Sequence, residues 1–495
     1  MEAQNQPSYK DLQNENAELW RRVGRLEQDL QNVLTQYREL KRHVFGRKSE
    51  KLDVLSQGQQ QLFSRELPEL EHEPEIEVSS YTRGKRNGRK PLPKDLPRER
   101  VEYEPEEQNC SSCGAELEKI GEDITEELEY VPARFFIREH ARIKKSCPQC
   151  KCGVSQGKRP AAAQVIEKGR VGAGLLAYIL ISKYCDHLPL HRLEQMFSRY
   201  GLELSRSTLC DWVRQAVELL SPIAERIRLD ILMAAAVFAD ETHLKVQDGE
   251  KKGLHTGYLW GALGPPGVYF HYSKSRAGFV AKELLGNYRG YVHTDAYAGY
   301  NPVFLPEACI RVGCWAHVRR KFIEVQKLSP NDVGNVLKRI AELYKIEKQA
   351  KNFSCEQRQA LRQKKSERLL ISLKEYLDAL NEITLPRHPL KSALEYTLNQ
   401  WDALTVYTTN GILSMDNNPI EQQIRPIALG RKNYLFAGSH DGARRAAVLY
   451  TLINTCKMHG VNPFEYLQDV LRRVHVHPAS RISELTPAGW KKNFS

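Results

Sequence analysis

Apolar residues recur every seven positions along the first part of the chain. Leu12, Leu19, Leu26, Val33 and Leu40 are each followed four residues later by Asn16, Val23, Leu30, Tyr37 and Val44. Such an a/d seam predicts a coiled coil over residues 1–55, in which a buried Asn16 amide costs stability but sets register and favours two strands. One long helix packed on its own protein has the same spacing, and Gly24 weakens the helix in either case. The period then lapses into charge. Residues 66–77 are acidic and 83–100 basic, with Pro91, Pro93 and Pro97 marking an extended linker over 56–104. Within it Arg86, Arg89 and Lys90 are placed to track phosphates or lie in a minor groove; a solvated linker fits as well.

Helical periodicity returns at 172–220, in a region spanning 166–228. Leu193–Tyr200, Gly201 and Ser205–Val213 read as helix, turn, helix: Gly201 ends the first helix, and Ser205 or Ser207 caps the second. If that second helix reads DNA, Arg206, Ser207 and Thr208 face the groove. An ordinary helical hairpin has the same pattern. From 229 to 325 the pattern changes to short apolar runs. Strands are predicted at 234–240, 258–263, 267–272 and 291–294, with helices at 277–285 and after Cys314-Trp-Ala-His317. The turn Gly264-Pro-Pro-Gly267 makes the second and third strands a hairpin. Three strands, a helix and a fourth strand follow the order of a ribonuclease-H-like domain, in which the first and fourth strands lie side by side. The order of helical and strand-like segments makes this a multidomain α+β chain.

Candidate chemistry sits on this framework. Asp240 follows one apolar run and Asp295 another, each expected at a strand end, while Glu421 follows Asn417-Asn-Pro-Ile420 at the start of a helix. Three carboxylates suit two Mg²⁺ (or Mn²⁺) ions about 3.5–4 Å apart, as phosphodiester cleavage and strand transfer require. Asp240 is best placed to bridge both ions. Glu241 would point to the opposite face of its strand and is discounted as a ligand. Asp416 reads as a cap for the later helix, and Glu421 has Arg425 available at i,i+4. Taken singly, each acid has a structural explanation. His317, Arg319, Arg320 and Lys321, with Arg425, Arg431 and Lys432, are candidates to hold phosphates near the ions.

Cys110-Ser-Ser-Cys113 and Cys147-Pro-Gln-Cys150 are two pairs whose thiolates complete a tetrahedral structural Zn²⁺ site over 105–165, with Phe135-Phe136-Ile137 expected as a strand between them. Cys152 is a spare ligand. In a chain with 11 cysteines, close pairs of this kind point to metal before disulfides. A formal charge of +12 favours a polyanionic partner. No apolar run approaches the ~20 residues of a membrane span, so the expected setting is the cytoplasm and its nucleoid.

Several segments together resemble one family. Phe45-Gly-Arg-Lys-Ser-Glu-Lys-Leu52, Gly88-Arg-Lys-Pro-Leu-Pro93, the cysteine pairs, Ala239-Asp-Glu-Thr242, Thr294-Asp-Ala-Tyr-Ala-Gly-Tyr300, Gly313-Cys-Trp-Ala-His-Val-Arg-Arg-Lys-Phe322 and Asn417-Asn-Pro-Ile-Glu-Gln-Gln-Ile-Arg-Pro426 occur in order. The chain is similar to bacterial insertion-sequence transposases of the insertion sequence 66 family. That resemblance implies a DDE transposase with Asp240, Asp295 and Glu421 as its acids, a mainly helical insertion rich in Lys and Arg (326–400) between the last two, a second part of the core (401–450) carrying Glu421, and a C-terminal helical region (451–495). It further implies DNA partners (terminal inverted repeats and target), a homodimer or higher oligomer, and small companion proteins of the element. The rival reading is a catalytically silent DNA-binding regulator derived from a transposase, which has no need of all three acids.

Overall fold

The computed structural model describes Arg22 and residues 135–146, 154–156, 165–166, 169–249, 253–304 and 309–494. The heptad seam, the charged linker with Arg86, Arg89 and Lys90, and Cys110, Cys113, Cys147 and Cys150 lie outside the described residues. The chain divides into two units, 47–157 and 1–46 with 158–495.

In the smaller unit, β1 (Lys144–Ser146) and β2 (Val154–Gln156) pair antiparallel, with Lys144 opposite Gln156. Phe135-Phe136-Ile137 is not a strand. No ladder partner meets it among the described residues, and Phe136 and Ile137 are 72% and 90% exposed.

The larger unit opens with α1 (Ala173–Tyr184), α2 (Leu190–Ser198) and α3 (Arg206–Ile231). Gly201 takes a φ of +74°, open to glycine at no steric cost, and turns the chain out of α2. The Ser205 hydroxyl caps α3 by accepting the Thr208 N–H at 3.3 Å. The second helix is much longer than a recognition helix needs to be. Past Pro222 it buries Ile223, Ala224, Ile227 and Ile231 and runs along the sheet, so one helix joins the hairpin to the core.

That sheet comprises β3 (Ala236–Gln247), β4 (Leu254–Gly264), β5 (Gly267–Ser273), then after α4 (Gly278–Leu285) the strands β6 (Gly290–His293) and β7 (Cys309–Val312). Its order is β5-β4-β3-β6-β7. The first three strands form an antiparallel meander, closed at Gly264–Gly267 by the two-proline turn, and β6 and β7 run parallel to β3. First and fourth strands of the sheet are therefore neighbours, as the element order predicts.

Helices follow: α5 (Trp315–Val325), α6 (Pro330–Gln349), α7 (Cys355–Leu361), a π turn (Arg362–Ser366), α8 (Glu367–Ile383), α9 (Pro389–Asn399) and α10 (Trp401–Thr405). They are not a free appendage. Val336, Ile340, Leu373, Leu377 and Leu394 share one apolar core with Val312 of β7 and with Trp315, Val318 and Phe322 of α5. The chain then returns to the sheet through α11 (Asn418–Tyr434) and α12 (His440–Met458), and ends in α13 (Pro463–Arg473) and α14 (Pro487–Phe494). α12 covers the outer edge of β5. Thr451 Oγ1 accepts the Phe270 N–H at 2.9 Å, and Thr455 Oγ1 accepts that of Val268 at 3.2 Å. Those donors would otherwise be a row of unpaired edge groups. Among the described residues no helix is long and apolar enough to cross a membrane.

His293, at the end of β6, joins sheet to return segment. It is 1% exposed and stacks on Phe238 at 4.2 Å. Its Nε2 accepts the Ser414 N–H at 3.0 Å, so its proton sits on Nδ1 and is donated to the Val237 carbonyl at 3.2 Å. Burial pushes its pKa down to about 4. An unfolded histidine titrates near 6.5. Between those values the unfolded chain binds the extra proton, so stability falls as pH drops from about 6.5 to 4, by roughly 3 kcal/mol for this residue. In urea melts across that range, His293→Gln is expected to flatten the decline; an unchanged slope would refute the assignment.

Candidate active site

The parallel ladder between β3 and β6 ends at Phe238 opposite His293. Asp240 and Asp295 each lie two residues beyond that pair, so the register brings both acids to the same end of the ladder. Asp240 is not at a strand end, contrary to the sequence expectation. β3 runs on to Gln247, because its antiparallel pairing with β4 continues to Leu254. What stops beside Asp240 is β6, and the acid occupies the edge thus vacated. Opposite Asp240 on β4 stands Gly261. A Cβ there would lie 3.0 Å from Ile420 Cδ1, so glycine lets the fully buried Ile420 seat against the sheet, one residue before Glu421.

Asn417 secures that seat. Completely buried, it donates through Nδ2 to the Ala239 carbonyl at 3.0 Å, immediately before Asp240, and its backbone N–H goes to Cys314 Sγ at 3.2 Å. Asp416 is not the cap expected of it: the cap position is Asn417, and Asp416, one residue earlier, accepts the Asn418 N–H through Oδ1 at 3.2 Å while the Tyr344 hydroxyl donates to Oδ2. On the other acid arm, Asp295 Oδ1 accepts the Tyr297 N–H at 2.9 Å, and Arg311 donates to the Asp295 carbonyl.

Electrostatically the centre is unbalanced. The carboxyl pKa of Asp240 is pushed well above the usual range by burial, then by Glu241 and Asp295, with Glu421 adding to it. Glu241 faces the other side of β3, as alternation requires. There its side chain is 2% exposed, paired with Arg276 at 2.6 Å and hydrogen-bonded by the Tyr300 hydroxyl at 2.8 Å. The Arg276 guanidinium also lies 3.8 Å from the centre of the Tyr297 ring. Glu421 turns towards α5 rather than to Arg425: Arg320 Nη2 is 3.5 Å from Oε2 and His317 Nδ1 is 3.8 Å from Oε1. Glu421 Oε1 and His317 Nδ1 are shielded from solvent and have no hydrogen-bond partner among the described residues. Burial and Arg320 lower the His317 pKa, leaving a neutral imidazole. Cys314, His317 and Glu421 offer ligand atoms within 4.8 Å of one another. Repelling acids and orphaned buried donors-in-waiting fit a divalent cation, which would relieve both.

Comparison with known proteins decides the lineage. The profile described as "Transposase IS66 family" matches residues 168–445, and "IS66 C-terminal element" matches 451–488. The "zinc-finger binding domain of transposase IS66" matches 107–151, and "Transposase C of IS166 homeodomain" matches 34–101. The chain belongs to the IS66 transposase family. Among its relatives in Sinorhizobium fredii (strain NBRC 101917 / NGR234), the uncharacterized protein y4hP is 34% identical over 92% of this chain and 88% of its own length. The uncharacterized protein y4jD is 33% identical over 91% of this chain and 93% of its own.

In this member of the IS66 family, the basic residues singled out by sequence differ in availability. Arg206 and Ser207 are exposed at the start of α3 and Thr208 is half-buried, although the Ser207 hydroxyl bonds to that of Ser205. Arg319, Arg320, Lys321, Arg425 and Lys432 are exposed. Arg431 is committed elsewhere: it donates to Thr242 Oγ1 at 3.0 Å and to the His243 carbonyl, latching α11 to β3. Sequence reasoning missed Asn417 and Gly261 as positioning residues. The signal for Asn417 was its place in the Asn-Asn-Pro-Ile-Glu run; nothing local marks Gly261, whose role depends on Ile420 across the fold.

Proposed function

We propose that this chain is a DDE transposase that cuts and rejoins DNA phosphodiester bonds, with Asp240, Asp295 and Glu421 as its metal-binding acids. The observation that carries this reading is their convergence: two acids at one end of the β3–β6 ladder, and a third whose charge reaches Asp240 from a helix pinned to β3 by Asn417. The strand order β5-β4-β3-β6-β7 supports a ribonuclease-H-like core, whose first and fourth strands present the paired acids. Mg²⁺ or Mn²⁺ bound there would activate water or a 3′-hydroxyl and stabilise the leaving oxygen. Asp240, whose charge both other acids reach, would hold the metal together with Asp295 and Glu421. Arg320, exposed beside Glu421, with Lys321, Arg425 and Lys432, neutralises backbone phosphates and orients the strand. The partners are the element's end sequences and target DNA, a second copy of the chain joined through the N-terminal seam, and the element's companion proteins.

Purified protein is expected to nick or join DNA carrying the element's ends only with divalent metal, and Asp240→Asn, Asp295→Asn and Glu421→Gln are each expected to lose that activity. Cleavage by the triple variant at the parental rate would end the proposal. A separate expectation concerns the four-cysteine unit. Metal analysis should return one Zn²⁺ per chain, and Cys110→Ser with Cys147→Ser should remove it and unfold the unit, whose folding free energy is largely metal binding. Full zinc occupancy in that double variant would exclude these ligands.

A further inference from the structure

We propose that His317 supplies a nitrogen ligand, through Nδ1, to the divalent ion held by Glu421. This rests on the metal-dependent reading above and adds a fourth side chain to it. His317 occupies the third position of α5, a helix whose start is immobilised: Trp315 is fully buried and its indole N–H donates to the Leu404 carbonyl at 2.9 Å. The ring therefore meets α11 at a set place. Its Nδ1 faces Glu421 Oε1 across 3.8 Å, too far for a hydrogen bond. Both atoms are sealed from solvent and lack partners among the described residues, an arrangement that costs free energy unless something joins them. Two atoms sharing one ion at about 2.1 Å lie roughly 3.0–3.5 Å apart. A shift of a few tenths of an ångström therefore converts the gap into a coordination site. The carboxylate is already divided for this purpose, Oε2 being turned to Arg320 and Oε1 left open.

Cys314 is the third potential donor, but its sulfur is already used. It accepts the backbone N–H groups of Asn417 and His317, and so holds α5 and α11 together rather than a metal. The centre is then three carboxylates and one imidazole. Mg²⁺ takes oxygen donors, whereas first-row divalent ions also accept imidazole, so His317 biases the Glu421 ion towards Mn²⁺.

The test uses the full-length, zinc-loaded protein without DNA and Mn²⁺ alone as probe, read by pulsed electron paramagnetic resonance. Directly bound imidazole nitrogen is expected to modulate the wild-type signal. His317→Gln should abolish that modulation and weaken Mn²⁺ binding roughly tenfold, with a smaller effect on Mg²⁺. Cys314→Ala should keep the modulation, with circular dichroism melts confirming that both variants fold. Absent modulation in the wild type, modulation surviving in His317→Gln, or its loss in Cys314→Ala would each overturn the assignment. Asp240→Asn and Glu421→Gln separate the two levels of argument. If they abolish Mn²⁺ binding while His317→Gln leaves it intact, only this inference fails; if they too leave it intact, the metal centre itself is wrong.

Discussion

Asp240→Asn is expected to abolish metal-dependent strand cleavage while raising the melting temperature of the metal-free protein. The two effects have one cause. Asp240 is half-buried, and its pKa is held well above the ordinary carboxyl range by desolvation and by the neighbouring negative charges of Glu241, Asp295 and Glu421. In the absence of metal the ionised carboxylate is thus a liability that an isosteric amide removes. With metal the balance reverses, because the same charge becomes a ligand. Mg²⁺ or Mn²⁺ should stabilise the parent increasingly with the logarithm of its concentration above Kd and leave Asp240→Asn nearly unmoved. A ligand worth several kcal/mol to the transition state corresponds to a cleavage loss on the order of 10³-fold or more. Differential scanning calorimetry with and without metal, alongside cleavage assays, checks both halves. A variant that melts lower than the parent without metal, or still responds to metal, would show that Asp240 is a structural acid.

The part of this centre legible in the sequence is the part written locally. Gly201 and Ser205 act on their own turn and cap, so the break after α2 and the start of α3 fall where the pattern places them, whereas α3 runs on to Ile231, well past the Val213 read from the pattern. Gly264 and Gly267 close the β4–β5 hairpin for the same reason. Apolar runs located β3, β5 and β6, but β4 starts earlier than its apolar stretch, since His255, Thr256 and Gly257 are held by ladder bonds and not by hydrophobicity. The short β7, Cys309–Val312, went unforeseen: four residues containing an arginine show no clear period, and its parallel pairing with β6 depends on a partner 19 residues earlier. The position of Asp240 was misjudged because a strand's end and its neighbour's end are different events, and only the first leaves a mark in the chain. Least legible of all was the approach of Glu421. It depends on the Asn417–Ala239 bond and on the missing side chain at Gly261, contacts between segments more than 150 residues apart.

A fully buried cation anchors the segment that delivers Glu421, and Arg362→Met is expected to be the most destabilising substitution in the helical insertion. Arg362 begins the π turn and is 1% exposed. It forms a two-pronged pair with Glu347, Nε to Oε1 at 2.8 Å and Nη2 to Oε2 at 2.7 Å. The remaining donors reach the Tyr407 carbonyl at 2.8 Å, that of Asn410 at 3.0 Å and that of Leu413 at 2.9 Å. Those carbonyls belong to the chain running from α10 towards Asn417. Methionine fills similar volume but strands a half-buried carboxylate and three acceptors, which costs about 3–5 kcal/mol for a broken buried pair. Lysine is no rescue, since one ammonium cannot reproduce a planar fork with five donors. Urea unfolding measures the loss, and Arg362→Met combined with Glu347→Leu should recover much of it, because an apolar pair leaves no charge unmatched. Activity supplies the second readout. With 407–413 released, Asn417 loses its bearing on Ala239, so the folded fraction of Arg362→Met should cleave poorly even where Glu421 is intact. A loss below about 1 kcal/mol would mean that the return segment is held by its apolar contacts through Tyr407, Leu413 and Met415, with Arg362 a bystander.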